Sequence, residues 1–327
     1  MKLTTTAALS VLAIASAVAL AGCSQPAASS PTGSSAAGKK LDVIVGNMSD
    51  AYYRSLQCGA KVAGKELGVT VDLQGPKAFD TTQQVPIVNA ATAQDPSGII
   101  IAPTDETALF PPLKQAKDKG IEILTVDTTL KDDSILTSSL SADWGQMGTL
   151  AAQQIVKAVG GKGTVLAIFS PPGVTTNDLG RAAFTAEMKK HPGVTADIQY
   201  SQGEAGKSAS ITAAALARYP SLAGVLTFNG GDAEGAVTAL TEADKSGKVK
   251  FVTGGARDYQ IDLLRKGTAS ALLVPAPYKI GYEAVKTAVS ALDGKKVEKE
   301  ISTPIVVATK ANMDDPAISS SFYKPCD

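Results

Sequence analysis

From Leu41 onward, short apolar runs alternate with amphipathic segments along the chain. In the first amphipathic segment, Leu56, Ala60 and Ala63 recur at spacings of three and four, as on one face of a helix. The segment stops at Gly68, a typical helix end. Apolar strands that alternate with such helices are typical of parallel sheets covered on both faces, so the pattern predicts the doubly wound α/β class. The predicted strands are residues 41–45, 69–73, 98–102, 121–126, 135–139, 164–169, 194–200, 224–228, 249–253 and 270–274.

The number of strands favours two sheets over one. A polar break at residues 141–143, followed by a new helical segment, would divide the strands into sheets of five or six each. Pro86 and the proline pair at 111–112 fall inside segments with helical spacing. Because proline is tolerated only in the first turn of a helix, we expect these helices to begin near Val85 and Phe110.

The N-terminus has the features of an export signal. Lys2 precedes an uncharged apolar stretch at residues 7–21, which is too short for a good membrane-spanning helix. The sequence Leu-Ala-Gly-Cys at 20–23 resembles the lipobox of bacterial lipoproteins. This resemblance implies a signal peptide at residues 1–22 and a diacylglycerol on the sulfur of Cys23. An ordinary secretory peptide with a chance cysteine is the alternative.

Residues 23–40 would then form a lipidated cysteine and a flexible tether, because they are mostly Ser, Ala, Pro and Gly. Two acyl chains hold a soluble domain on a membrane where one would not. No later apolar run exceeds the length of a strand. We therefore expect a protein of the cell envelope, lipid-anchored on the outer face of the cytoplasmic membrane or in the periplasm.

Composition argues against several classes of function. The chain has 31 basic and 31 acidic residues, a balance that disfavours a nucleic acid or another polyanion as partner. His191 is the only histidine, so a histidine metal centre or a His-based catalytic triad lacks its other members. The glycines at residues 203–208 and 230–235 match neither a phosphate-binding loop nor a dinucleotide turn. We expect no metal, no cofactor and no catalytic residue.

Two further cysteines, Cys58 and Cys326, lie near opposite ends of the expected folded part. An exported protein meets conditions that permit them to bridge. A disulfide would close almost the whole domain into a loop, with an entropic stabilisation of about 4 to 5 kcal/mol as an upper guide. The sequence is equally compatible with a bridge and with two separate thiols.

Polar and aromatic side chains gather in the loops that follow the predicted strands. In doubly wound sheets, ligands bind where these loops converge. Aromatic rings suit the apolar faces of a sugar, and carboxylates, amides and guanidinium groups suit its hydroxyls. Each candidate also has a structural alternative: a tyrosine can be core, Asp127 or Asn229 can be a cap, and an arginine can be solvated. The candidate ligand residues are Asp50, Tyr52, Tyr53, Asp127, Asn177, Arg181, Asn229 and Arg257.

Several motifs together resemble the type I periplasmic sugar-binding proteins, the ribose-binding family that serves ABC importers. The resemblance extends from Leu41 to about Ala308. Each motif alone is weak, and jointly they are specific. The motifs are Gly59-Ala60, Glu66-Leu67-Gly68, the run from Gly98 to Asp105, Lys119-Gly120-Ile121, Val126-Asp127, the segment from Asn229 to Leu240, and the run from Ile280 to Val285.

The family fold implies two lobes joined by three crossings, with the ligand enclosed as a hinge closes. The N-terminal lobe would comprise residues 41–141 and 276–303. The C-terminal lobe and tail would comprise residues 142–275 and 304–327. Matched to the motifs, the family's ligand positions fall on Asp50, Tyr52, Tyr53, Asp127 and Asn229.

The second lobe departs from the family pattern. Where the family has Gly-Phe-Asp-Gly, this chain has Thr-Gly-Gly-Ala at 253–256, so the sugar-binding aspartate is absent and Arg257 or Asp258 would replace it. Pro275 stands at a position that is polar in the family, and Arg181 lies one place late in the family's arginine motif. The resemblance therefore implies a small polar ligand without specifying ribose.

The predicted function is capture without chemistry. A monomeric lipoprotein would bind a sugar or polyol between its lobes and deliver it to an ABC permease with its ATPase. A sensor for a furanosyl signal, acting through a membrane receptor, is the first alternative. An exported hydrolase is the second.

Overall fold

The computed structural model describes residues 38–324 and Cys326, apart from residues 171, 174 and 202. Its strands are β1 (Lys40–Ile44), β2 (Thr70–Gln74), β3 (Gly98–Ile101), β4 (Glu122–Val126), β5 (Ser138–Ala142), β6 (Gly163–Phe169), β7 (Val194–Tyr200), β8 (Gly224–Thr227), β9 (Lys250–Gly254), β10 (Ala271–Val274), β11 (Glu300–Thr303) and β12 (Val306–Ala308). Its helices are α1 (Ala51–Leu67), α2 (Thr81–Ala93), α3 (Phe110–Asp118), α4 (Trp144–Ala158), α5 (Thr175–Met188), α6 (Ala205–Arg218), α7 (Gly230–Glu242), α8 (Asp258–Lys266), α9 (Pro277–Leu292) and α10 (Pro316–Ser319). The predicted cysteine lipidation at Cys23 and most of the predicted tether lie outside these residues.

The strands form two six-stranded sheets, with the orders β11-β5-β4-β3-β1-β2 and β12-β10-β9-β8-β6-β7. All pairings in the first sheet are parallel. The second sheet is parallel except at its edge, where β12 runs antiparallel to β10. The predicted class, α/β with two doubly wound lobes, is confirmed.

The chain passes between the two sheets after β5, after β10 and after β11. We call the part built on the first sheet the first lobe and the part built on the second sheet the second lobe. After the first crossing α4 packs on β8, β9 and β10, and after the second crossing α9 packs on α1, β3, β4 and β5.

Alternating side chains of the central strands supply a core on each face of the first sheet. Val43 and Ile100 are buried in the cluster that contains Leu56 of α1. Their chain neighbours Ile44 and Ile99 are buried in a different cluster, with side chains of α2 and α3. Because helices cover both faces, neighbouring positions in these strands are both apolar, as in Val43-Ile44 and Ile99-Ile100, instead of alternating with polar ones.

The fifth strand begins three residues later than the sequence predicts. Ile135 and Leu136, which led to the earlier start, are buried against α2 and α3. The strand itself is serine-rich and alternates in burial, so its apolar signal is weak. The short strands β11 and β12 were not predicted at all. The predicted start of α3 at Phe110 is confirmed, with its two prolines in the first turn.

The predicted start of α2 near Val85 is wrong, because the helix begins at Thr81 and contains Pro86. Asp80 caps the start by accepting a backbone hydrogen bond. The buried Gln84 side chain then donates to backbone oxygens at the ends of β1 and β3. This anchoring offsets the cost of an internal proline, about 3 kcal/mol.

Two glycines allow α1 and α9 to pack closely. A Cβ at Gly59 would lie 1.9 Å from the backbone oxygen of Tyr278, and a Cβ at Gly281 would lie 1.9 Å from that of Leu56. No real side chain tolerates such distances. The two motifs therefore contain glycine because the helix backbones touch there.

Cys58 and Cys326 are joined by a disulfide, with their Cα atoms 5.0 Å apart. Of the two possibilities left open by the sequence, the structure has the bridge. In the part of the chain that the structure describes, no helix combines the length and apolarity needed to cross a membrane.

Candidate ligand-binding cleft

A cavity of about 660 Å³ lies where the carboxyl ends of strands from both sheets meet. The first lobe contributes the loops after β1 and β4, and the second lobe contributes the loops after β6, β8, β9 and β10. This is the position expected for a ligand in doubly wound sheets. The cavity is lined by Asn47, Ser49, Asp50, Tyr52, Tyr53, Phe79, Asp127, Thr128, Trp144, Met147, Ser170, Pro172, Thr176, Asn177, Gly203, Phe228, Asn229, Gly230, Gly231, Gly254, Gly255, Arg257, Pro275 and Tyr323.

Asp127 and two tyrosines form the polar centre of the first lobe. The Tyr53 hydroxyl donates to one carboxylate oxygen of Asp127 at 2.7 Å, and the Tyr52 hydroxyl donates to the other at 3.2 Å. The two rings meet edge to face, with centroids 5.3 Å apart. Both tyrosines, which as adjacent helix residues need not face the same way, therefore reach the cavity.

The environment of Asp127 is unusual in both backbone and charge. Its φ is 65°, in the left-handed region that residues other than glycine rarely adopt. Burial raises the pKa of Asp127 to about 6, although the hydroxyls of Tyr53 and Tyr52 act in the opposite direction. The charge of Asp50 raises this pKa further. The carboxylate is thus ionised at neutral pH but held in a site that penalises its charge.

Asp50 and Arg257 connect the two lobes across the cavity. One carboxylate oxygen of Asp50 accepts the amide of Tyr52 and caps α1. The other accepts a hydrogen bond from the Arg257 guanidinium at 2.9 Å. Of the two candidates for the missing second-lobe aspartate, Arg257 lines the cavity, whereas Asp258 is the first residue of α8 and does not.

An amide network forms the polar side of the second lobe. The Asn229 side chain donates to the hydroxyl of Ser170 at 3.0 Å and to the amide oxygen of Asn177 at 3.1 Å. Asn229 occupies the cap position of α7, but its side chain makes no capping hydrogen bond. Its amide is therefore held toward the cavity instead of closing the helix end.

Arg181 is the one predicted ligand residue that the structure does not bring to the cavity. Its guanidinium pairs with Asp178 one helical turn earlier, at 3.1 Å. The cavity wall at this helix is formed instead by Thr176 and Asn177. The one-place shift in the sequence thus turns the arginine away from the cleft, since adjacent helix residues point about 100° apart.

Four aromatic residues of the cleft are not among the ligand residues predicted from the sequence: Phe79, Trp144, Phe228 and Tyr323. Trp144 directly follows the first crossing, so the polar break at residues 141–143 was the only sequence feature that could have indicated its position in the cleft. Phe228 ends an apolar run and looks like core, and Tyr323 follows every predicted element. Aromatic rings thus line both lobes and the hinge region.

The charges that line the described cavity are those of Asp50, Asp127 and Arg257. Asp50 and Arg257 compensate each other, and Asp127 is left as the acceptor without a cationic partner. Rings and neutral hydrogen-bonding groups make up most of the remaining surface. Among the described residues, no three His, Cys, Asp or Glu side chains are placed to hold a metal ion. The arrangement suits a small neutral molecule with hydroxyls and an apolar face.

Comparison with known proteins connects this geometry to a family. The family model described as periplasmic binding protein domain matches residues 41–296. The chain is 34% identical to an ABC transporter solute-binding protein from Agrobacterium vitis bound with alpha-D-tagatopyranose, with a TM-score of 0.83 over 88% of this chain and 99% of that chain. It is 29% identical to another such protein from Agrobacterium vitis with bound D-fucose, with a TM-score of 0.81 over 87% of this chain and 100% of that chain. The ribose import binding protein of Bacillus subtilis is 26% identical over 83% of this chain and 87% of its own length.

The fold, the position of the cavity and the match over residues 41–296 agree with the resemblance that the motifs indicate. The family is made up of sugar-binding transport proteins. This chain belongs to the periplasmic binding protein family.

Proposed function

We propose that this protein captures a small neutral sugar or polyol between its lobes and delivers it to an ABC permease, without catalysing a reaction. The observation that carries the proposal is the centre formed by Asp127, Tyr52 and Tyr53. A half-buried carboxylate that faces a cavity accepts hydrogen bonds from ligand hydroxyls, and the rings beside it pack on the apolar face of the ligand. Solute-binding relatives with bound alpha-D-tagatopyranose and D-fucose support this ligand class.

The second lobe supplies hydrogen bonds without a carboxylate. The side-chain amides of Asn229 and Asn177 would form hydrogen bonds with ligand hydroxyls, and Arg257 adds a cationic donor at the lobe interface. Each group that a ligand fails to satisfy remains buried and unpaired in the closed cleft, which penalises sugars of the wrong stereochemistry. The permease and its ATPase would recognise the closed form.

The same proposal includes anchoring through Cys23, with the protein acting as a monomer at the outer face of the cytoplasmic membrane or in the periplasm. The lipobox-like sequence at residues 20–23 supports it. Labelled palmitate should enter the chain in a bacterial host. The Cys23→Ser variant should lose the label and appear in the soluble fraction; retention of the label would contradict the anchor.

A melting-temperature screen tests the ligand class. The full-length chain is heated with D-ribose, D-allose, D-tagatose, D-fucose, D-arabinose and sugar alcohols, and with peptides as the comparison. A ligand at 100 times its dissociation constant should stabilise the protein by about 2.7 kcal/mol. A melt that responds to a peptide and to none of the sugars or polyols would contradict the proposal.

A further inference from the structure

The C-terminal tail, residues 309–324 with Cys326, connects the two lobes a fourth time. Its apolar side chains Met313, Phe322 and Tyr323 are buried in the hydrophobic core of the second lobe. The backbone N–H of Tyr323 donates to the oxygen of Ala256, in the loop after β9. The tail is thus fixed to the second lobe up to Tyr323.

The last residues of the tail run along helix α1 of the first lobe. Tyr323 packs edge to face on Tyr52, with ring centroids 5.8 Å apart. The N–H of Lys324 donates to the hydroxyl of Ser55 at 3.2 Å, and Cys326 is bonded to Cys58. Residues 52, 55 and 58 follow one another at helical spacing, so the tail follows a single ridge of α1.

This arrangement places Tyr323 in the wall of the cavity, next to a tyrosine that binds Asp127. Tyr323 lies beyond residues 41–296, the part that the family model matches. No other residue of the tail lines the described cavity. The disulfide, three residues away, crosslinks the tail to α1 of the first lobe.

We propose that the tail is part of the ligand site: the ring of Tyr323 forms a wall of the cleft, and the Cys58–Cys326 bond holds this ring and Tyr52 of the first lobe together. This inference rests on the proposed function, because it assigns Tyr323 to the same cleft. The residue contacts ligand directly, whereas the two cysteines are positioning residues. Breaking the bond should therefore weaken binding without displacing the other residues that line the cavity.

Titrations with a sugar from the melting screen test the contact. Emission of Trp144, the single tryptophan of the chain and a cavity residue, reports binding. Tyr323→Ala should weaken affinity about tenfold, which corresponds to about 1.4 kcal/mol. Tyr282→Ala is the matched control, because Tyr282 stacks on Tyr278 at 6.5 Å outside the cavity and should leave affinity unchanged. Equal affinities of Tyr323→Ala and the unchanged chain would overturn the contact.

The role of the disulfide is tested by the Cys58→Ser, Cys326→Ser double variant and by dithiothreitol on the unchanged chain. Both should weaken affinity by a factor approaching that of Tyr323→Ala. In the double-serine background Tyr323→Ala should lower affinity clearly less than in the bridged chain, since a ring that is no longer held against Tyr52 contributes less to binding. Full affinity after reduction would overturn this role. If the double-serine variant fails to fold, the titration of the reduced native chain replaces it.

Hydrogen exchange without ligand separates this inference from the proposed function. Reduction should speed exchange at the amide of Lys324, which donates to Ser55 of the first lobe. A chain that binds no sugar would contradict the proposed function. Hydrogen exchange would still test whether the disulfide positions the tail. Unchanged exchange at the Lys324 amide after reduction would overturn the positioning role of the disulfide.

Discussion

At the scale of single residues, Asp127 combines features that a purely structural carboxylate would not need. It lies half-buried at a strand end, accepts two tyrosine hydroxyls and has a left-handed backbone. The sequence located it because the apolar strand β4 ends just before it. Its hydrogen bonds with Tyr52 and Tyr53 could not be predicted from the sequence, since these residues lie 75 and 74 positions before Asp127.

Replacing Asp127 by Asn should lower sugar affinity about 10- to 100-fold, because hydrogen bonds to a charged group contribute about 1.5 to 3 kcal/mol. Calorimetric titration measures the change. The matched control is Asp42→Asn: Asp42 is buried, pairs with Lys40 at 3.2 Å and does not line the cavity. A control that loses as much affinity as the Asp127 variant would remove Asp127 from its assigned role.

Affinity should also depend on pH. The pKa of Asp127 is raised to about 6, so the carboxyl is ionised above pH 6 and gains a proton below it. If ligand hydroxyls bind the ionised form, lowering the pH from 7 to 5 should weaken affinity about tenfold. Burial also raises the pKa of Asp232 to about 6. The pH profile should therefore persist in Asp232→Asn and vanish in Asp127→Asn; the reverse pattern would contradict the assignment.

At the scale of elements, the motif glycines mark where helix backbones meet. The sequence identified Gly59 and Gly281 only through resemblance, and the structure explains them by the contact of α1 with α9. Element types were predictable because burial on both faces gives continuous apolar strands. Predicted element boundaries were wrong where a tertiary contact outweighed the local sequence preference. The Gln84 hydrogen bonds, for example, allow α2 to start before Pro86.

Gly59→Ala should destabilise the fold by at least about 1 to 3 kcal/mol, because the added methyl group forces α1 away from α9. Gly206→Ala in α6 is the control: nothing lies within 4 Å of its Cβ position, so it should stabilise by about 0.5 to 1 kcal/mol. Urea unfolding followed by circular dichroism compares the two. Equal midpoints would contradict the close helix contact.

At the scale of the whole molecule, contacts between the lobes hold the cleft in a closed arrangement. Asp50 and Arg257 pair at 2.9 Å, and the hydroxyl of Thr175 donates to Glu106 of the first lobe at 3.0 Å. The number of strands and the polar break at residues 141–143 predicted two sheets, and the family resemblance implied two lobes with three crossings. The sequence could not predict that two candidate ligand residues bind each other, or that Tyr323 enters the cleft, because hinge closure and the tail join distant parts of the chain.

Asp50→Asn should shift the ligand-free protein toward the open form about fivefold, since a partly exposed ion pair contributes up to about 1 kcal/mol. Asparagine keeps the helix cap, so only the charge is lost. Small-angle scattering without sugar should show a larger radius of gyration. The surface pair of Arg265 and Asp262 lies within one helix, and Asp262→Asn should leave scattering unchanged. An unaltered radius for Asp50→Asn would contradict the role of this pair in closure.

The central claim is that a small neutral sugar or polyol binds beside Asp127 in the cleft, and a calorimetric titration of the full-length chain tests it most directly. The unchanged chain should show saturable binding at one site for at least one neutral monosaccharide or sugar alcohol. The Asp127→Asn variant should bind the same compound at least about tenfold more weakly at equal stability. The account would be contradicted if no such compound bound, or if both proteins bound it equally well.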